Sequence, residues 1–279
     1  MTPRHHLSLL LLVSSSSTLA SVISRRQWVA SGAASCAAGA AGCFLPRRAA
    51  AFDNALPEYA NYADKPKRRG AAPKNLGVAK RVVEGEDGPV TLLGLRECDG
   101  KPNCFSTTGD EELEERVRKG VDTLIPAWTP PTDDPAPLRT LAEVVRNYKP
   151  GQGGVDGGGF QVVSQSDEYF YVQFEALKKG FIDDVEFAMG KGAQREVLVR
   201  SSSRVGYTDF GVNAVRLNYI SASLREKGWK IDEITPKSHS DYWIASNEAR
   251  EATFDADRRK LDGGEAVSDT VKASQVFNR

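Results

Sequence analysis

The chain has 279 residues, with 37 Lys+Arg against 37 Asp+Glu, and 40% of its residues are hydrophobic. The balance hides an asymmetry. Residues 1–51 carry five arginines and no acid, so residues 52–279 hold 32 basic and 37 acidic residues, a net charge of −5. A mildly acidic body excludes nonspecific nucleic-acid binding, which depends on clustered Lys and Arg.

Residues 1–20 have the anatomy of a secretory signal: Arg4, the apolar run Leu7–Val13, then Thr18-Leu19-Ala20 as small residues for a signal peptidase. Seven apolar residues cannot span a bilayer, which takes about 20. A second unit follows. Ser24-Arg25-Arg26-Gln27-Trp28-Val29 resembles a twin-arginine signature, and the Ala/Gly-rich segment Trp28–Leu45 leads to Arg48-Ala49-Ala50-Ala51, with Phe52 as the expected mature N-terminus. Two stacked leaders resemble the multipartite presequence of algae with secondary plastids, so residues 1–51 are read as targeting and the destination as the thylakoid lumen. The alternative is that Trp28–Leu45 stays as a membrane anchor, although Ala and Gly are poor lipid-facing residues.

Cysteine use fits an oxidising compartment. Cys36 and Cys43 fall in the leader, leaving Cys98 and Cys104 in Cys-Asp-Gly-Lys-Pro-Asn-Cys, whose turn-forming residues allow the chain to fold back. One histidine beyond the leader, His239, makes a poor partner for a zinc site, so a Cys98–Cys104 disulfide is expected and no metal or cofactor is assigned.

Residues 52–89, with Lys65-Pro66-Lys67-Arg68-Arg69-Gly70, lack apolar periodicity and read as an extended, solvated, flexible arm. The body begins near Val90. Asp110–Lys119 is highly charged and is expected as a short surface helix, and the prolines of Pro126–Pro137 exclude regular structure. Pro137 suits the first turn of a helix whose stripe is Leu138, Leu141, Val145 and Tyr148, stopped by Lys149-Pro150. Gly151–Gly159 contains six glycines but lacks the Gly-Lys-Ser/Thr ending of a phosphate loop, and reads as a flexible connector. Phe160–Val163, Tyr169–Glu175, Phe181–Phe187 and Glu196–Ser202 read as strands of an antiparallel meander. Asn213–Lys227 reads as a helix with Val212, Val215, Leu217, Tyr219, Ile220 and Leu224 on its apolar face and Gly228 as its stop. The fold class is therefore α+β: a meander of about four strands with helices on one face, a flexible N-terminal arm and a C-terminal tail. In the tail, 230–279, Asp241-Tyr242-Trp243-Ile244 is expected to dock, and Glu248–Arg279 to be helical, frayed, or both.

Phe181-Ile182-Asp183-Asp184-Val185-Glu186-Phe187, then Val199-Arg200-Ser201-Ser202-Ser203-Arg204-Val205-Gly206 and Asp209-Phe210-Gly211-Val212-Asn213, together with Pro102-Asn103-Cys104, resemble the family catalogued as domain of unknown function 1499, over roughly residues 92–229. The family has no established activity. Its members occur in bacteria and, in photosynthetic eukaryotes, with plastid presequences, so the resemblance bears on location more than on mechanism.

Alternation on a strand puts Phe181, Asp183, Val185 and Phe187 on one face and Ile182, Asp184, Glu186 and Ala188 on the other. Asp183 or Asp184 is expected opposite Arg200, with Arg204 capping the end of the sheet and Tyr207, Asp209, Asn213 and Arg216 closing the rim. Three readings of this constellation compete. In the first it is a partly buried ionic network that fixes register, with Asp209 capping the last helix, and Arg200→Ala sharply lowers stability. In the second, Arg200, Ser201, Ser202, Ser203 and Arg204 supply donors to an anionic ligand such as a carboxylate, phosphate or lipid headgroup. In the third, Asp183, Asp184 and Glu186, or a serine with His239, perform hydrolysis, although no nucleophile elbow is present. The leading expectation is a non-catalytic accessory or assembly protein, partnered by a photosynthetic membrane complex or another lumenal protein and not membrane-spanning once mature. A small-ligand or lipid-headgroup module comes second and a hydrolase third.

Overall fold

The structure, a computed structural model, describes residues 51–85, 88–109, 122–192 and 195–261. The expected helix at 110–119, the leader through residue 50 and the tail from residue 262 lie outside the described residues. Two antiparallel sheets organise the rest. A two-stranded ribbon pairs β1 (Ala79–Gly85) with β2 (Gly88–Gly94). The main sheet has the order β3-β7-β6-β5-β4, with β3 Cys104–Ser106, β4 Phe160–Gln165, β5 Tyr169–Glu175, β6 Ile182–Met189 and β7 Val197–Ser203. The last four strands form the expected meander. The edge strand β3 was not anticipated: three residues are too few to display a period.

Helices α1 (Pro137–Arg146), α2 (Val212–Arg225) and α3 (Ser240–Leu261) follow from local signals. Pro137 occupies the first turn of α1, where a missing N–H costs nothing, and Leu138, Leu141 and Val145 are buried. Asp209 begins α2: its carboxylate accepts the Asn213 N–H at 2.8 Å and the Gly211 N–H at 2.9 Å, satisfying donors the helix leaves open. Gly228, at φ +85°, lies just beyond its end.

The core sits between these helices and one sheet face, where Phe170, Val172, Phe174, Val185, Phe187, Val197 and Val199 meet Leu138, Leu141, Leu217, Ile220, Leu224 and Tyr242. The division of β6 into two faces follows the alternation of its sequence. Its second face is buried too, yet polar. The stretch 52–89 was expected as a solvated, flexible arm; its end instead enters the β1–β2 ribbon, and residues 52–80 lie against this face: Tyr59 Oη donates to Glu175 at 3.0 Å, Arg69 pairs with Glu175 at 2.7 Å, and the Gly77 N–H donates to Glu186 at 2.6 Å. A small apolar cluster of Leu95, Ala188 and Leu198, with Val78, Ala127 and Tyr169, seals one end of this face. Among the described residues no helix is long and apolar enough to cross a membrane.

Candidate functional site

Two charged networks occupy opposite faces of the sheet. The first is enclosed under α2. Arg216, 0% exposed, places Nη2 at 2.5 Å from Asp156 and 2.7 Å from Asp183, Nε at 2.8 Å from Asp156, and Nη1 at 2.8 Å from Asn213 Oδ1. Its guanidinium also lies 4.6 Å from the Phe174 ring centre. Burial works to lower the Arg216 pKa, but the charges of Asp156 and Asp183 outweigh it, so the cation is held more firmly than usual. Ser201 donates to Asn213 Oδ1 at 2.5 Å, and Asn213 Nδ2 donates to Asp209, to Ser203 Oγ and to the Asn103 carbonyl. Tyr242 closes the network by donating to Asp209 at 2.8 Å. Polar groups buried this deeply need such partners.

Asp156 was missed by sequence reasoning. It sits at φ 58° inside the glycine run, where Gly151, Gly153, Gly154 and Gly159 also adopt positive φ. The run is therefore a shaped loop that delivers a carboxylate 60 residues in sequence from its arginine. A single acid among six glycines was the available signal.

The second network lies on the other face, in two rows set by register. One row runs Ser106–Arg200–Glu186–Tyr171 and the next Cys104–Ser202–Asp184–Gln173. Arg200 thus faces Glu186, not Asp183 or Asp184 as expected. The reason is strand length: β6 runs to Met189 and β7 starts at Val197, which moves the pairing along the strand. Asp184 is instead held by Arg204 through two bonds of 2.7 Å, with Tyr171 donating to it at 2.5 Å. Burial works against the Arg204 cation, but Asp184 wins and raises its pKa. Burial first, then Asp184, pushes the Tyr171 phenol up to about 12. Glu186 accepts from Tyr169 at 2.8 Å as well as from Gly77.

Arg200 is the exception among these charges. It is 5% exposed, its nearest carboxylate oxygen is Glu186 Oε2 at 3.9 Å, and its Nε–H has no acceptor among the described residues. Burial pulls its pKa down; Glu186 and Asp184 oppose this, while Arg96 and Arg81 add to it. Arg200 lines a pocket of about 240 Å³ together with Arg96, Lys101, Ser202, Arg204 and the Cys98–Cys104 pair. The acids of this pocket are already engaged: Asp184 by Arg204, Asp99 by Lys101 at 2.6 Å, and Glu97 in a contact of its own. Arg96 and Lys101 were not read as site residues, because nothing local marks a loop cation that converges on a distant strand. The two cysteines are joined, as expected.

Asp183 and Asp184 therefore point to opposite faces, each with its own arginine, while Ser201 and Ser203 face α2 and Ser202 faces the pocket. His239 is buried at 3.0 Å from the Leu124 carbonyl and packs edge-on against Phe105. Tyr207 stands exposed. Among the described residues no three His, Cys, Asp or Glu side chains converge in a way that holds a metal ion.

Comparison with curated proteins and with solved structures returned no significant match. Residues 94–224, which contain β3–β7, the charged residues of both networks and nearly all of α2, match the model of a family described as protein of unknown function (DUF1499), and to that family the domain belongs.

Proposed function

We propose that the domain is a non-catalytic binding module for a small anion, a phosphate or carboxylate, whether free or on a lipid headgroup. The reading is carried by Arg200: a guanidinium at 5% exposure, with an Nε–H lacking an acceptor among the described residues, at a polar pocket whose acids are engaged. A buried charge is costly unless paired, and a planar guanidinium suits phosphate and carboxylate oxygens. Ser202 adds a hydroxyl, and Arg96 and Lys101 add charge at the rim.

The test is the thermal midpoint of the full chain against inorganic phosphate, sulfate and succinate. A ligand at 100 times its Kd stabilises the native state by about 2.7 kcal/mol, so a clear upward shift is expected for the wild type and none for Arg200→Gln. No shift with any of the three, or an equal shift in the variant, refutes the reading. Sedimentation with phosphatidic acid vesicles against phosphatidylcholine vesicles separates a lipid source from a free one.

A second reading combines the leader with an accessory or assembly role in the thylakoid lumen, the mature chain starting at Phe52. It is favoured by apolar side chains left outside, among them Val82 and Leu93 on the ribbon and Ile244 and Phe254 on α3, the last 74% exposed. Plastid fractionation with N-terminal sequencing tests it. A chain retaining Trp28–Leu45, or one that sediments free of any complex, counts against it.

A further inference from the structure

The Cys98–Cys104 disulfide is part of the wall of the pocket that holds Arg200. The two ends of the small loop it closes are anchored very differently. At the Cys104 end, the Asn103 carbonyl accepts from the Ser203 N–H at 3.0 Å and from Asn213 Nδ2 at 3.1 Å. Asn103 Nδ2 donates to the Gly206 carbonyl at 2.6 Å, the Asp209 N–H donates to the Pro102 carbonyl at 3.0 Å, and Cys104 itself is a buried residue of β3. At the Cys98 end, among the described residues, no backbone hydrogen bond from the sheet reaches 98–100. The nearest ties before it are the contact that Glu97 makes and Ser106 Oγ donating to the Arg96 carbonyl at 2.9 Å. The disulfide therefore holds this stretch, and with it the Asp99–Lys101 pair, against the pocket.

We propose that the disulfide is a redox gate on the anion site: a dithiol reductant opens it and weakens anion binding. This rests on the reading of Arg200 as an anion ligand. The chemistry is thiol–disulfide exchange. Cys98 is the partly exposed cysteine and Cys104 the buried one, so one thiolate of the reductant attacks Cys98 Sγ. The S–S bond breaks, and Cys104 leaves as a thiolate that takes a proton. The second thiol of the reductant then resolves the mixed disulfide and releases Cys98. The protein gains two electrons and two protons, and the dithiol becomes a disulfide. Two changes follow in the pocket. Lys101, next to the anchored Pro102, is no longer pinned from the Asp99 side, and Cys104, on the face it shares with Arg200, becomes an ionisable thiol that competes with the ligand for the guanidinium.

The experiment is isothermal titration of inorganic phosphate into the full chain, first with the disulfide intact, then after reduction by a dithiol, then after re-oxidation. Loss of one charge-assisted contact is worth about tenfold in affinity, so Kd is expected to rise about tenfold on reduction and to return on re-oxidation. The paired change C98S/C104S should bind weakly whether or not reductant is present. Equal Kd for oxidised and reduced protein overturns the gate and leaves the Arg200 reading standing. Absence of phosphate, sulfate or succinate binding in the oxidised form overturns both. Circular dichroism of the reduced wild type is measured in parallel: if that chain unfolds, the disulfide is a staple and the gate is overturned.

Discussion

Arg216 and Arg200 sit on opposite faces of the same sheet with opposite surroundings, and their substitution should separate structure from binding. Arg216 lies between Asp156 and Asp183 at 2.5 and 2.7 Å. Arg216→Met leaves both carboxylates buried without their cation, an error that typically costs about 3–5 kcal/mol. Adding Asp183→Asn should cost less than the sum of the single changes, because the two groups share one interaction. Arg200→Met should cost only about 1 kcal/mol, because its ion pair with Glu186 is 3.9 Å long and Glu186 keeps Tyr169 and the Gly77 N–H. Urea unfolding reads both values. Equal losses for the two arginines would return Arg200 to the structural role that the sequence suggested for it.

The extended segment from residue 52 to 80 behaves as an element although it is mostly irregular. It has a docking point at the end of the glycine loop, where Asn54 Oδ1 accepts the Phe160 N–H at 2.8 Å and a side chain on Gly159 would approach the Ala55 nitrogen to 2.8 Å. Gly159 is also at φ +85°, where an L side chain is strained. Gly159→Ala should therefore cost more than about 1 kcal/mol and lift the start of the arm. The check is limited trypsin digestion at Lys67, Arg68 and Arg69. Cleavage should be slow in the wild type, where Arg69 is tied to Glu175 at 2.7 Å, and faster in the variant. An unchanged digestion rate would mean that the docking does not depend on this contact. Helix α2 shows a related reversal: it buries Asn213 and Arg216 while Tyr219 stands exposed, because its inward side serves the ionic network as well as the core.

Over the whole molecule, four phenols couple stability to alkaline pH: burial raises Tyr148 and Tyr169 as well as Tyr59 and Tyr171. Burial and then Glu175 raise Tyr59 to about 12, and burial and then Asp184 raise Tyr171 to about 12, both from 10.0. A tyrosine with a raised pKa is favoured in its neutral form when folded. The stabilisation is complete below pH 10 and is lost as pH climbs through 10 towards 12. The thermal midpoint should fall across that window, and Tyr59→Phe with Tyr171→Phe should flatten the fall. A slope unchanged in the double variant would assign the alkaline loss to other groups. The same two side chains mark how the molecule is closed, one on the arm and one on the sheet, each donating to a buried carboxylate on the face the arm covers.

Local chemistry was enough for much of this fold. Period-2 runs gave the four strands of the meander and assigned Asp183 and Asp184 to opposite faces, since alternation along a strand needs no knowledge of its neighbours. Turn residues between Cys98 and Cys104 and a capping acid before α2 were legible for the same reason. Register was not: whether Arg200 meets Asp184 or Glu186 depends on where each strand ends, and a shift of two residues leaves the hydrophobic pattern of the pair almost intact. Asp156 to Arg216 spans 60 residues, and Tyr59 to Glu175 spans 116. Contacts at such separations are set by how the loop, the arm and the sheet stack, so the residues that enclose the ionic networks emerge only when the chain is folded.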